Sequence, residues 1–399
     1  MGVVDPERRL PATSVAERIE TLRLAAGRRA TAEHKSEMGQ FLTPLPVARL
    51  MASMLECNSP NLQLLDAGAG VGSLFAAAVD HFLCKPKPPA SIAVTAYEMD
   101  SLFVEALDRT MGYCREACLE RGVQFSGDVI TKDFIKDAAD QLEDGLFGAA
   151  AGLRFNCAIL NPPYRKIKTD SETRRQLRRM GLETSNLYTG FVAAAIQRLE
   201  CAGEIVAITP RSFCNGPYFR PFRQFLLAEM AIQRVHVFAS RKTAFKDDEV
   251  LQENVIMHAV RGVKASQCVT ITSGGGRDTV TSSRQVRRKD FVQPNDRESF
   301  IHIAPDKAAH GIAARMSRLK HSLGGKGTFY FFRLRSDHGS GTPVELECPL
   351  FPPNAISTIG RDYPRCHFAR ITEQICGKEM WSTGCVVTNR VSLSTPLRS

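Results

Sequence analysis

The order of apolar and polar positions predicts alternating strands and helices over the first two thirds of the chain. Apolar runs typical of buried strands are "LQLLDA", "SIAVTAY", "FNCAIL" and "EIVAITP", and helix-like segments lie between them. "IQRVHVF" and "NVIMHAVRG" predict further strands. Strands that alternate with helices indicate a mostly parallel, doubly wound sheet, so we expect an α/β, Rossmann-like fold.

The same pattern divides the chain into three parts. Residues 14–36 predict an amphipathic helix capped by Ser14, so we assign 1–36 to an N-terminal helical segment. Residues 37–262 form the predicted main domain. Beyond 262, the turn-rich, basic stretch "TSGGGRDTVTSSRQVRRKD" indicates a linker and then a smaller, poorly defined domain over 263–399. The tail shows no closing element, so we expect that domain to be incomplete.

Composition narrows the class of protein. The chain has 399 residues, of which 43% are hydrophobic, enough for a large core. No apolar run reaches the ~20 residues of a membrane span, and "MGVVDPERRLPATS" does not resemble a signal peptide. The 12 cysteines form no CxxC or zinc-site spacing. We therefore expect a cytoplasmic protein without a metal site.

Charge is distributed unevenly. Residues 1–150 contain 15 Lys+Arg and 21 Asp+Glu, a net charge of −6. The remaining 249 residues contain 37 and 21, a net charge of +16. This asymmetry favours a polyanionic partner for the second part, although a generally basic surface is an alternative.

A glycine-rich turn follows the first predicted strand. "DAGAGVG" places Asp66, Gly68 and Gly70 where a strand meets a helix, which lets the backbone approach a ligand. An ordinary tight turn is the alternative. Glu98 ends the next predicted strand, where a carboxylate accepts hydrogen bonds from ribose hydroxyls. At this point any adenosine cofactor, including NAD, fits the pattern.

The segment "TKDF" offers a second contact for an adenosine. Asp133 is a candidate acceptor for an adenine amino group, and Phe134 is a candidate cover for the base. Asp128 competes with Asp133 for that role. The alternative for Asp133 is a helix cap.

The stretch "NPPY" directly follows the strand predicted at 155–160. Ligands in open α/β sheets bind at the carboxyl ends of strands. The prolines hold the Asn161 side-chain oxygen and the Pro162 carbonyl as neighbouring acceptors, which suit a planar NH2 group, and Tyr164 adds a ring for stacking. The alternative is a rigid corner with a packed tyrosine.

A run of basic residues follows this corner. Arg165, Lys166 and Lys168 begin it, and four arginines continue it through Arg179. These side chains suit phosphate groups. A solvated helix face is the alternative.

Together these motifs resemble the amino-group DNA methyltransferases that use S-adenosylmethionine. "MGQFLTP" precedes the glycine turn and NPPY follows it, an order similar to the gamma class of N6-adenine methyltransferases of type II restriction–modification systems. The resemblance covers residues 15–262 and weakens beyond them. It implies an S-adenosylmethionine-dependent catalytic domain at 37–262 and a DNA target-recognition domain after it.

The resemblance also implies roles for individual residues. Those expected to bind the cofactor are Thr43, Asp66, Gly68, Gly70, Glu98, Asp133 and Phe134. Those expected at the catalytic corner are Asn161, Pro162 and Tyr164, and Arg165, Lys166 and Lys168 are expected to contact DNA. Phe245, in "TAFKDDEV", resembles the aromatic residue that packs on the flipped base, with Phe238 and a plain core position as alternatives.

The expected function is therefore site-specific N6-adenine methylation of double-stranded DNA, with any cognate restriction endonuclease on a separate polypeptide. Methylation of a protein glutamine amide or of RNA is the main alternative, because release-factor methyltransferases share NPPY. Cytosine N4 methylation and a truncated, inactive DNA-binding copy are further alternatives. Cytosine C5 methylation is disfavoured because the chain lacks the Pro-Cys dipeptide of that family.

Overall fold

A computed structural model describes residues 14–29, 42–146, 154–238, 254–274 and 280–303, and the short strands at 331–334, 346–347 and 386–387. The chain divides into two compact units, Met1–Lys307 and Ala308–Ser399. Among the described residues of the second unit, strand Phe331–Leu334 pairs with Leu346–Glu347 and with Val386–Val387, both antiparallel.

The first unit is built on a nine-stranded sheet. Its strands, in chain order, are β1 (Asn61–Ala67), β2 (Ser91–Tyr97), β3 (Gln124–Ile130), β4 (Phe155–Leu160), β5 (Leu199–Pro210), β6 (Met230–Phe238), β7 (Asn254–Arg261), β8 (Cys268–Gly274) and β9 (Val280–Arg287). They are arranged as β3-β2-β1-β4-β5-β7-β6-β8-β9. Strands β1 to β5 are parallel, and β7 lies antiparallel between β5 and β6. The predicted α/β, Rossmann-like architecture is confirmed.

Helices cover both faces of the sheet. They are α1 (Val15–Arg29), α2 (Leu45–Ala52), α3 (Ser73–Leu83), α4 (Ser101–Glu120), α5 (Phe134–Leu146), α6 (Glu172–Arg179), α7 (Leu187–Arg198), α8 (Arg220–Glu229) and α9 (Arg288–Phe291). Residues of α1 to α4 pack in one hydrophobic core, and residues of α5, α7 and α8 pack in a second. Because helices cover the central strands on both sides, the sequences of these strands are near-continuous apolar runs.

The N-terminal helix begins where the sequence indicated. Ser14 and Glu17 exchange hydrogen bonds: the Glu17 amide donates to Ser14 Oγ at 3.3 Å, and the Ser14 amide donates to Glu17 Oε2 at 3.2 Å. The Asp80 carboxylate accepts from the next two amides, Val15 and Ala16. This ties α1 to α3 across the first core. The predicted helix to residue 36 is described as far as Arg29.

The boundary predicted between residues 262 and 263 falls between two strands of one sheet. Strands β8 and β9 form a hairpin whose first strand pairs in parallel with β6, and the compact unit continues to Lys307. The sequence over 280–287 is polar because β9 is an edge strand with a mostly exposed surface. The polar residues over 280–287 therefore belong to an edge strand of this sheet, and the division of the chain into a catalytic and a recognition domain stays a prediction. A target-recognition role for residues beyond 262 stays a prediction.

Candidate active site

A cleft lies at the carboxyl ends of the central strands. Its walls come from the start of α2, the turn after β1, the end of β2 and the loop after β4. The lining residues are Leu42, Thr43, Gly68, Ala69, Gly70, Ser73, Leu74, Glu98, Asn161 and Pro163. The structure thus brings together Thr43, Gly68, Gly70, Glu98 and Asn161, which sequence analysis selected from distant parts of the chain.

The glycine turn is shaped by backbone conformations that favour glycine. Gly70 has φ +57°, and a Cβ atom there would lie 2.8 Å from Leu42 Cδ2 at the cleft wall. Gly72 has φ +86°, and its Cβ would meet the Phe75 ring at 2.5 Å, so this glycine serves helix packing. The amides of Gly68 and Ala69 both donate to the Tyr97 carbonyl at 2.9 Å. The turn is therefore held against β2.

Glu98 connects the glycine turn to the loop after β2. Its side chain is buried, with one oxygen accepting from the Gly70 amide at 2.7 Å and the other accepting from the Asp100 amide at 2.8 Å. The carboxylate lies at the cleft, as its predicted role as a ribose ligand requires, and it also holds the glycine turn through Gly70. Met99, the next residue, is 59% exposed. The exposure of Met99 depends on the tertiary structure and could not be predicted from the sequence.

Asp66 lies beneath the cleft and does not line it. Its carboxyl is fully buried, and Oδ2 accepts from the Phe75 amide at 3.3 Å at the start of α3. Oδ1 has no hydrogen-bond partner among the described residues. Burial raises the pKa of Asp66 to about 8; the Phe75 amide opposes this shift, and the nearby Glu98 charge adds to it. Asp66 therefore supports the turn from within the core, and a direct cofactor contact stays a prediction.

Asp133 and Phe134 occupy the start of α5. Asp133 Oδ1 accepts from the amides of Ile135 and Lys136 at 2.8 and 3.1 Å, so the carboxylate forms the helix cap that was the alternative interpretation. Phe134 is 1% exposed and packs between the rings of Tyr97 and Phe191, with centroids at 5.0 and 5.5 Å. Phe134 is a core residue here, and its contact with an adenine stays a prediction.

The NPPY segment forms a braced corner after β4. Asn161 Nδ2 donates to Thr43 Oγ1 at 3.0 Å, and the Tyr164 hydroxyl donates to Asn161 Oδ1 at 3.1 Å. The same hydroxyl lies 3.3 Å from the Ile208 carbonyl on β5. Pro162 is buried beside Asn161. Contacts at both ends of the amide fix its plane with the oxygen on the Tyr164 side.

The Tyr164 ring is half-buried beside the cleft. It packs edge-to-face against Tyr188, with centroids 6.1 Å apart and planes at 77°. Burial raises the pKa of Tyr164 well above its ordinary value, so the hydroxyl keeps its proton and acts as a donor to Asn161. The side chain therefore combines an aromatic face with a positioning hydrogen bond.

The basic run divides into two parts with different surroundings. Arg165, Lys166 and Lys168 lie on a loop whose backbone is held by the Leu187 amide to the Arg165 carbonyl at 2.7 Å. Within the described part of the chain, neither lysine has an ion-pair partner. In α6 the arginines pair locally: Arg174 and Arg178 with Glu183, Arg175 with Glu172, and Arg179 with Asp140. The loop, more than the helix, presents unneutralised positive charge.

Three other predictions concern Phe245, a metal site and a membrane span. Phe245 lies outside the described residues. No group of three or more His, Cys, Asp or Glu side chains in them could hold a metal ion. No described helix is long and apolar enough to cross a membrane.

Comparison with known proteins identifies relatives of this chain. Residues 117–245, which include the NPPY corner, match the Eco57I restriction-modification methylase family. The chain is 39% identical over 306 residues to the type II methyltransferase M.PstI of Providencia stuartii, and 38% identical over 343 residues to M.BsuBI of Bacillus subtilis. This chain is therefore similar to proteins named type II methyltransferases.

These matches cover most of this chain but less of the relatives. They include 76% and 84% of this chain, and 59% and 66% of M.PstI and M.BsuBI, respectively. Among solved structures, a protein described as a modification subunit of a putative type I restriction enzyme from Vibrio vulnificus superposes with a TM-score of 0.52. That match has 12% identity and covers 72% of this chain and 64% of that one, which shows a shared fold.

Proposed function

We propose that this chain is an S-adenosylmethionine-dependent DNA methyltransferase that modifies the N6 amine of adenine. Its relatives are type II methyltransferases, which supports a role as the modification enzyme of a restriction–modification system. The observation that carries the proposal is the position of Asn161, which lines the cleft beside the glycine turn and is held by Thr43 and Tyr164.

The cleft has the features that the cofactor needs. A Cβ at Gly70 would crowd Leu42 at the cleft wall, so glycine suits this turn. Glu98 lines the cleft where a ribose ligand is expected. The amino end of α3 opens beside Ser73, a place that favours a carboxylate. We propose that these residues and Thr43 hold S-adenosylmethionine. When bound, it supplies an electrophilic methyl group.

The protein contributes to the reaction mainly through position and electrostatics. The Asn161 oxygen and the Pro162 carbonyl accept hydrogen bonds from the target NH2 group, which directs the nitrogen lone pair towards the cofactor. The Tyr164 ring stacks on the base after it leaves the duplex. With S-adenosylmethionine held in the cleft, the amine would form its new N–C bond as the S–C bond of the methyl sulfonium breaks. A neutral thioether would leave, and the amine would lose a proton to solvent. Lys166 and Lys168 bind phosphates of the DNA.

The exposed lysine loop favours a nucleic acid over a protein glutamine as the substrate. Methyl transfer from labelled S-adenosylmethionine is measured with unmethylated genomic DNA, with RNA and with protein extract, and nucleosides are resolved by mass spectrometry. N6-methyladenine in DNA that disappears in Asn161→Ala is the expected result. Label in protein glutamine or in RNA alone, or N4-methylcytosine in DNA, would contradict the proposal.

A further inference from the structure

The turn after β5 displays an aromatic side chain at the same edge of the sheet as the NPPY corner. Tyr218 lies in the short 3-10 turn Pro217–Phe219 and is 79% exposed. Strand β5 is parallel to β4, so the segment after Pro210 leaves the sheet at the edge where Asn161 follows Leu160. A ring this exposed offers its aromatic face to a partner molecule.

The position of Tyr218 is set by an internal clamp. Arg223 of α8 is fully buried, and its Nη1 donates to the carbonyls of Phe213 and Gly216 at 3.0 and 2.7 Å. Its Nε donates to the Glu298 carbonyl at 2.9 Å. A buried guanidinium is costly unless it is hydrogen-bonded, so these contacts order the turn firmly. Gly216 is needed in this arrangement, because a Cβ there would lie 2.7 Å from the Ser212 carbonyl.

Ring contacts connect this turn to the catalytic corner. Tyr164 packs on Tyr188 with centroids 6.1 Å apart, and Tyr188 packs on Phe219 with centroids 5.8 Å apart. The Tyr188 hydroxyl also lies 3.2 Å from Ser212 Oγ. Tyr218 precedes Phe219 in the chain, and two ring contacts connect Phe219 to Tyr164 through Tyr188. The turn that carries Tyr218 is therefore packed, through Phe219 and Tyr188, against the tyrosine of the catalytic corner.

The surrounding charge indicates which partner this ring meets. Lys166 and Lys168 follow Tyr164 on the exposed loop, and Arg220 follows Tyr218 with its side chain 45% exposed and 3.6 Å from Glu298. An exposed aromatic ring on an anchored turn, with Arg220 two positions on and two lysines after the NPPY corner, suits a nucleic acid. Phosphates of a nucleic acid bind cations, and its bases stack on an aromatic ring. We propose that Tyr218 stacks on a nucleobase of the DNA next to the target position. This proposal rests on the proposed DNA methylation.

The test compares three variants with a matched control. In Tyr218→Ala we expect the KM for unmethylated genomic DNA to rise about 5- to 150-fold, the range for one lost base–ring stack. The affinity for S-adenosylmethionine and the Tm should not change. Tyr218→Phe should stay within about twofold of wild type, while Tyr218→Leu should resemble Tyr218→Ala, because stacking needs an aromatic ring. Leu119→Ala is the control: Leu119 is 78% exposed near the end of α4, at the opposite edge of the sheet, and its loss should have no effect.

The salt dependence separates stacking from an electrostatic or structural effect. Tyr218→Ala should weaken binding equally at all salt concentrations, because no ion pair with phosphate is lost. A KM for Tyr218→Ala within about twofold of wild type, or full rescue by leucine, overturns this inference while DNA methylation stands. A wild-type protein that neither binds nor methylates DNA overturns both proposals.

Discussion

Replacing the buried Asp66 with asparagine tests the electrostatics beneath the glycine turn. The pKa of Asp66 rises from an ordinary 3.8 to about 8, chiefly because its carboxyl is removed from water. In the unfolded chain the same group titrates at about 3.9. Between these two values the folded protein holds a proton that the unfolded chain has lost. Asp66 therefore lowers stability progressively as pH rises from about 4 to about 8.

The size of the effect follows from the shift. Each pH unit between the two pKa values costs about 1.4 kcal/mol, so the range from about pH 5 to about pH 7.5 costs about 3 kcal/mol. The asparagine side chain of the Asp66→Asn variant is neutral at both pH values and retains an oxygen that accepts from the Phe75 amide. Asp66→Asn should therefore lack this part of the pH dependence, while all other titrating groups contribute equally to both proteins.

Urea unfolding at the two pH values measures the difference directly. The free energy of unfolding of wild type should fall by about 3 kcal/mol more than that of Asp66→Asn between about pH 5 and about pH 7.5. Asp80→Asn is a useful comparison, because Asp80 accepts two amides of α1 and is only partly buried. Equal pH dependence in wild type and Asp66→Asn would show that Asp66 is ionised in the fold and would refute the reasoning.

Three further outcomes are expected. Tyr164→Phe keeps the ring but loses the donor to Asn161, so kcat should fall about 2- to 10-fold with an unchanged KM for DNA; an unchanged kcat would remove the positioning role. In Glu98→Gln one of the two backbone amides that donate to Glu98 would face the glutamine NH2 group, which cannot accept. S-adenosylmethionine binding, measured by calorimetry, should therefore weaken roughly 5-fold or more, and wild-type affinity would contradict this. Lys168→Ala should reduce the slope of log K for DNA against log salt by about 1, whereas Arg175→Ala should change it less, since Glu172 pairs with that arginine; equal changes would contradict the division of the basic run.

The strands and the two turns at their ends could be predicted because their signals are local. Strand β4 carries an unbroken buried run, and the Asn-Pro-Pro-Tyr that follows it is stiff by its own covalent geometry. The glycines after β1 adopt left-handed conformations that few other residues tolerate. Such features depend on neighbours in sequence, so a single chain displays them.

Other assignments depended on partners far away in sequence. Asp133 is an exception, because it caps α5 through amides two and three residues ahead, a local contact that the sequence already offered as the alternative. Phe134, in contrast, is ambiguous until Tyr97 and Phe191 enclose it. The polarity of β9 resembles that of a linker, because an edge strand has one unpaired side and much exposed surface.

The sequence by itself determined most of the central strands and helices, the glycine turn and the NPPY corner, because these follow from periodicity and from residues with restricted or unusual backbone freedom. Only the tertiary structure decided which side chains meet. Thr43 and Asn161 come within 3.0 Å although 118 positions separate them, and Arg223 reaches Glu298 across 75. Burial and long-range hydrogen bonds arise when the chain folds around its two cores, so they determine which carboxylates face the cleft and which support it from the core.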